Sequence, residues 1–181
     1  DASEDTIGYV MYVRSVDEDR KIHVCFLTAD SKVGPKAATS VPRLELCAAV
    51  EAAQSARAVI AEMVKSFDSV HYYSDSKVVL GYLRNRTRRF LRYVARRIAL
   101  CHEASAGVEW KYISTEENPA DMASRPHAPS NLSKTSWLNG PDMLWRELED
   151  TECELPKYED LPEVDLSETR VMASAAREPD V

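Results

Sequence analysis

The sequence lacks any uninterrupted apolar run approaching the ~20 residues that a bilayer-spanning helix needs, and no basic-then-apolar leader opens it. The expectation is a soluble chain that is neither membrane-bound nor secreted. It also lacks a CxxC pair. Cys25, Cys47, Cys101 and Cys153 lie far apart, with no two histidines near them at zinc-ligand spacing. That pattern argues against a zinc site and reads as buried or idle thiols in a reducing compartment. No internal repeat is visible. What is present is 181 residues, 44% of them apolar and 29% charged, which suits one ordinary globular domain with an extension and excludes whole-chain disorder.

The net charge of −7 would ordinarily argue against a nucleic-acid partner. The sum hides an asymmetry, because residues 142–181 carry 13 acidic and 4 basic side chains while residues 1–141 carry 17 acidic and 19 basic. The acidity belongs mostly to the tail, and the rest of the chain is slightly basic.

Gly8 to Arg14 and Lys21 to Thr28 are β-branched and aromatic runs separated by a polar cluster, which predicts a hairpin. A short third strand is expected near Lys36 to Ser40, after the Gly34-Pro35 turn. From Arg43 to about Lys65, Leu46, Val50, Ala53, Ile60 and Val64 recur at helical spacing, entered through Ser40 and Pro42. Ser69 to Ser74 reads as a strand, and Asp75-Ser76 opens a helix to about Leu83. A further helix is expected from about Arg88 to Ala104, a strand over Val108 to Ile113, and a short helix from Asn118 and Pro119 to Ser124. The order βββαβααβα implies an α/β layer structure, with an antiparallel hairpin on one side and parallel crossovers on the other. The expected division is a domain over 1–125, an ordered extension over 126–148 that packs its tryptophans on the domain, and an acidic flexible linker over 149–181.

Four acidic residues stand out by position. Asp1 leads into the first strand, Glu45 falls in the first turn of the long helix, Asp75 sits where a strand hands over to a helix, and Asp121 opens the last helix. Acidic residues are also common at helix starts simply as caps, where unpaired N–H groups and the helix dipole favour negative charge. The strand-to-helix edge of an α/β sheet is where sites form. If Asp1, Glu45 and Asp121 converge on Asp75, their repulsion calls for a cation. Oxygen-only ligation selects Mg²⁺, with Mn²⁺ as the alternative, and two such ions about 4 Å apart can drive phosphodiester cleavage.

The strings Asp1-Ala-Ser3, Val41-Pro-Arg-Leu-Glu-Leu46, Ser74-Asp-Ser-Lys-Val-Val-Leu80, Arg89-Phe90 with Val94-Ala95 and Arg97, Asn118-Pro-Ala-Asp-Met-Ala-Ser-Arg125, and Trp137 with Gly140-Pro141 occur in that order. Together they resemble the ribonuclease H domain of BEL/Pao-type LTR retrotransposon polyproteins over about residues 1–145. The resemblance implies an RNase H-like α/β fold, with a mixed five-stranded sheet flanked by helices. It implies a metal-dependent endonuclease that hydrolyses the RNA strand of RNA–DNA hybrids during reverse transcription. It assigns two Mg²⁺ ions, or Mn²⁺, to Asp1, Glu45, Asp75 and Asp121, and no small-molecule cofactor. Arg43, Ser74 and Ser76 match motif positions near the metals and are expected to touch substrate backbone; for Arg43 a surface ion pair is the alternative. The reverse transcriptase and integrase regions of the same polyprotein are the implied partners, with no membrane. The cytoplasm is the expected compartment, and a virus-like particle or the nucleus is the alternative.

Two departures from the broader ribonuclease H pattern are visible. The loop Ile113 to Asn118 has no histidine, which bears on product release, and the half-strand normally preceding the first metal ligand is missing, which lowers the activity expected of this chain. Two rivals follow: a catalytically degenerate nucleic-acid-binding module of the same fold, and an integrase-type recombinase core. The second ranks last, since integrases use three acids ending in a glutamate.

Residues 84–97 contain Arg84, Arg86, Arg88, Arg89, Arg92, Arg96 and Arg97, seven arginines in fourteen positions without one acid. A solvated helix face normally mixes signs, so this run points to phosphate. The first six are the candidates for nucleic-acid contact. Tyr72, Tyr73, Tyr82, Tyr93, Trp110 and Tyr112 are read as core packing before a base-stacking platform. No histidine is assigned to catalysis, His127 being the nearest candidate.

Overall fold

A computed structural model describes residues 1–36, 40–85, 88–125 and 135–146. The chain opens with Asp1–Ser3, turns, and runs into a long antiparallel hairpin of β1 (Thr6–Val16) and β2 (Ile22–Val33). The polar cluster between the strands closes the turn as its chemistry predicts. Asp17 accepts the Lys21 N–H at 2.8 Å, and Arg20 adopts the left-handed conformation at φ 62°. The helix α1 (Val41–Glu62) follows. Next come β3 (Tyr72–Ser74), α2 (Lys77–Arg84), α3 (Arg92–Ala104), β4 (Trp110–Tyr112) and the one-turn α4 (Asp121–Ser124), with short 3₁₀ turns at Thr115–Glu117 and Asp142–Trp145.

The expected five-stranded sheet is corrected. The described residues form two two-stranded sheets, the antiparallel β1–β2 pair and the parallel β3–β4 pair. The physical reason lies at the first three residues. They lie antiparallel beside β1 through an isolated Ala2–Ile7 bridge and a pair of exchanged hydrogen bonds between Asp1 and Gly8, at 3.0 and 2.9 Å. So short a rung leaves no ladder between the hairpin and the β3–β4 pair. The third strand expected near Lys36 to Ser40 falls mainly on residues 37–39, outside the described residues; Lys36 is in a turn and Ser40 caps α1.

Helix boundaries moved for identifiable reasons. α1 ends at Glu62 because Met63 is extended, so Val64 is fully exposed despite its helical spacing in sequence. α3 begins at Arg92, later than Arg88, since the Arg88 N–H is taken by the Asn85 side chain at 2.8 Å and Leu91 is extended. Phe90 anchors that irregular link by burying its ring edge-on against Tyr82, at 5.2 Å.

The core forms where α1, α2 and α3 close over the β3–β4 pair. Leu46, Val50 and Ala53 from α1 meet Val79, Leu80 and Tyr82 from α2, Val94 and Cys101 from α3, and Tyr72 and Trp110, whose rings stack at 5.0 Å. The aromatic residues are therefore mainly packing groups. Burial pushes the Cys101 thiol up to about 12, as suits an inert buried cysteine. A smaller cluster of Ala2, Ile7, Leu44, Cys47 and Ala48 joins the chain start to α1.

Among the described residues of the extension, Trp137 packs on Phe26 at 5.8 Å and its carbonyl accepts the Tyr12 hydroxyl at 2.7 Å. Arg14 donates to the carbonyls of Leu144 and Arg146, each at 2.9 Å. The remainder of the extension expected over 126–148, His127 and the acidic stretch over 149–181 lie outside the described residues. Among the described residues no helix is long and apolar enough to cross a membrane.

Gly8 is the tightest junction. A Cβ there would stand 2.6 Å from the Ala123 Cβ and 2.7 Å from the Ala123 carbonyl carbon, both on α4. Gly8→Ala is expected to destabilise the protein by about 1–3 kcal/mol through overpacking. A lowered urea midpoint with an unchanged m-value is the measurement that checks it.

Candidate metal centre and nucleic-acid face

Asp1 is held by the Gly8 pairing just described. Glu45 lies just past the first turn of α1 and not within it as expected, because the helix already begins at Val41, with Pro42 in its first turn and the Ser40 carbonyl accepting the N–H groups of Arg43 and Leu44. Asp75 occupies the turn between β3 and α2. The Ser76 backbone N–H donates to the Ser74 hydroxyl at 3.1 Å, and the Ser76 hydroxyl caps α2 by accepting the Val79 N–H at 3.4 Å. Ser74 is buried and both serines shape the turn that presents Asp75.

These three acids, distant in sequence, converge. Asp1, Glu45 and Asp75 each offer a carboxylate oxygen, and those oxygens all lie within 4.8 Å of one another. One oxygen of Glu45 and one of Asp75 are buried without a hydrogen-bond partner. Burial pushes the Glu45 carboxyl above its ordinary range and the Asp75 charge adds to the rise, while the Asp1 amino group, the Ala2 N–H and Arg125 oppose it. An all-oxygen donor set with two orphaned buried oxygens fits a hard divalent cation.

Asp121 is not one of that three-acid group, although its charge, like those of Glu45 and Asp75, acts on the Asp1 amino group. Its Oδ1 pairs with the Arg125 Nε at 2.7 Å, one helical turn on. The same helix reaches the cluster elsewhere, because the Ser124 hydroxyl donates to Asp1 Oδ2. Ser124 and Arg125 were not among the expected site residues. For Arg125 a signal existed, since a basic residue four positions after an acid on a helix is a standard ion-pair spacing.

The arginines divide into two groups. Arg84 is only 15% exposed, forms an ion pair with Glu109 at 3.1 Å and donates to the Trp110 carbonyl, so it braces α2 against β4. Arg88, Arg89, Arg92 and Arg96 are exposed, and among the described residues no carboxylate lies within 4.0 Å of them. Arg86 lies outside the described residues. Arg43 sits over the Tyr93 ring at 4.8 Å, and Arg97, absent from the expected contacts, stacks on the same ring at 3.5 Å while its Nε donates to the Cys47 sulfur at 3.0 Å. Two guanidinium groups thus gather on one ring, and one of them lies two residues before Glu45 on α1. Sequence spacing could not show this, because it depends on α1 and α3 lying side by side.

Residues 1–76 match the model of the Pao retrotransposon-like RNaseH-like domain family. The resemblance read from the sequence strings is thereby borne out over the stretch that carries Asp1, Glu45 and Asp75; Asp121 and the arginine row lie beyond it. Comparison with curated proteins and with solved structures returned no match.

The raised Glu45 carboxyl has a consequence for stability without metal. A carboxyl whose folded pKa exceeds its unfolded value contributes stability that is complete below the unfolded value of about 4.5 and is lost as the pH rises through the folded pKa. Glu45→Gln removes that loss. In metal-free buffer the variant is expected to melt at a higher temperature than the parent near pH 7 and to show no such gain near pH 4. Thermal melts with a chelator present check this.

Proposed function

We propose that this chain, an RNase H-like domain of Pao retrotransposon type over residues 1–76, hydrolyses the RNA strand of RNA–DNA hybrids with two divalent cations, Mg²⁺ or Mn²⁺. The observation that carries the reading is the meeting of Asp1, Glu45 and Asp75 within 4.8 Å, two of them with buried, unpartnered oxygens. Side chains so crowded and poorly solvated are costly as bare anions, and a bound cation removes the cost. In this proposal Asp1, Glu45 and Asp75 hold the first ion, and Asp121 completes the set at the rim.

The cations, when bound, would make water a better nucleophile and neutralise charge developing on the phosphodiester. The chain's own residues do the positioning. Ser74 and Ser76 fix the turn of Asp75, and Ser124 orients the Asp1 carboxylate. Water adds to phosphorus, the bond from phosphorus to the 3′ oxygen breaks, and the products carry a 3′-hydroxyl and a 5′-phosphate. Arg88, Arg89, Arg92 and Arg96 neutralise backbone phosphates, with Arg43 and Arg97 nearer the acids. Such contacts give affinity without sequence preference, and hybrid is distinguished from duplex DNA by shape and 2′-hydroxyls. The reading keeps the reverse transcriptase and integrase regions of one polyprotein as partners, and the cytoplasm as the compartment.

One observation favours a second reading, a module that binds hybrid without cutting it: Asp121 is engaged by Arg125 and not by the cluster. The two readings separate on one assay. With Mg²⁺ the full chain is expected to cut the RNA strand of a labelled hybrid and leave duplex DNA intact, with Asp75→Asn at least about 100-fold slower, the scale of a lost electrostatic group in catalysis. Binding with no cutting supports the module.

The positive face is tested separately. Replacing Arg92 and Arg96 together by Gln is expected to lower the slope of log affinity against log salt by about 2, with weaker binding across all hybrid sequences alike. Fluorescence anisotropy over a salt series measures this.

A further inference from the structure

We propose that Arg125 is a positioning residue that holds Asp121 at the rim of the carboxylate cluster and releases it when a second divalent cation arrives. The inference rests on the metal reading given above and deepens it. Asp121 opens α4 and Arg125 follows the helix directly, with an extended backbone at φ −129°. The guanidinium Nε meets Asp121 Oδ1 at 2.7 Å. That contact engages the one acid of the four that the three-carboxylate group does not include, although Ser124, on the same single turn, already bonds Asp1.

Arg125 also acts on the cluster beyond Asp121. Its charge is among the influences that favour the ionised form of Glu45. It therefore serves as an internal counter-charge to these acids. Three features make it displaceable. The Arg125 side chain is 57% exposed, so water screens the pair. It lines a cleft of about 350 Å³ with Asp30, Ser31, Met122 and Trp137, which leaves room for the guanidinium to turn away. A doubly charged ion also attracts the Asp121 carboxylate more strongly than a singly charged, delocalised one does.

The arrangement makes cation uptake a competition. Asp1, Glu45 and Asp75 would hold one ion without involving Arg125, whereas Asp121 would have to leave Arg125 to serve a second. Arg125 therefore weakens the second site by the strength of an exposed ion pair while keeping Asp121 close at hand.

The test is isothermal titration of Mn²⁺ into the full chain without nucleic acid, with thermal melts to confirm that each variant is folded. Arg125→Gln is expected to tighten the weaker of two Mn²⁺ affinities by roughly two- to fivefold, the range of an exposed ion pair, and to change the tighter one by clearly less. In an Asp121→Asn background the same substitution is expected to have a clearly smaller effect, that of its weaker charge on Glu45 alone, because the partner it restrains is gone. No tightening in Arg125→Gln overturns the proposal. So does an equal tightening with and without Asp121, which would make Arg125 a remote charge and not a restraint. If neither the parent nor Arg125→Gln takes up Mn²⁺, the metal reading itself fails and the proposal with it, whereas Mn²⁺ uptake indifferent to Arg125 removes the proposal alone.

Discussion

A missing side chain organises the site. At Gly8 the backbone of β1 exchanges two hydrogen bonds with Asp1 on its flank, and Ala123 of α4 presses against it from above, at a distance where any Cβ would collide. Backbone pairing sets the height of Asp1, and the close approach sets the height of α4. Ser124 can reach the Asp1 carboxylate only because both constraints act at the same residue. The extension reinforces the outer part of the hairpin, where Tyr12 and Arg14 donate to its carbonyls. The hairpin thus acts as the plate on which the first acid and the last helix are mounted.

Electrostatics then sets what this mounting is suited to. Carboxylates brought within 4.8 Å, with orphaned oxygens out of water, oppose folding when bare. The protein meets the cost partly by raising the Glu45 carboxyl and partly by drawing Arg125 close. Three acids from three separate elements, brought so close, form a group that could hold a cation. Arg88, Arg89, Arg92 and Arg96 add exposed positive charge with no carboxylate of the described residues within 4.0 Å, and Arg43 and Arg97 share the Tyr93 ring.

Much of this was legible beforehand. The hairpin, the parallel crossover and the helices follow from periodicity and turn chemistry, because those signals are local: Ser76 caps α2 whatever surrounds it. Errors arose where a local signal competed with a distant one. Val64 has helical spacing but no surface to cover, and Arg88 has helical neighbours but an Asn85 side chain that takes its N–H. Arg84 belongs to a run that reads as uniformly phosphate-facing, yet Glu109, far along the chain, draws it inward. The five-stranded sheet failed for a related reason, since strand count in sequence does not say whether a short rung can join two ladders.

The sequence by itself supplied the main elements, the charge asymmetry, and four candidate acids with the family-like strings around them, since each depends on residue type and short spacing. Only the tertiary structure decided that Asp1, Glu45 and Asp75 meet, that Asp121 pairs with Arg125, and that Arg43 and Arg97 share one ring. Those outcomes depend on distances between elements, and such distances are set by packing, by how closely α4 can approach Gly8 and how α1 lies against α3, which no local pattern encodes.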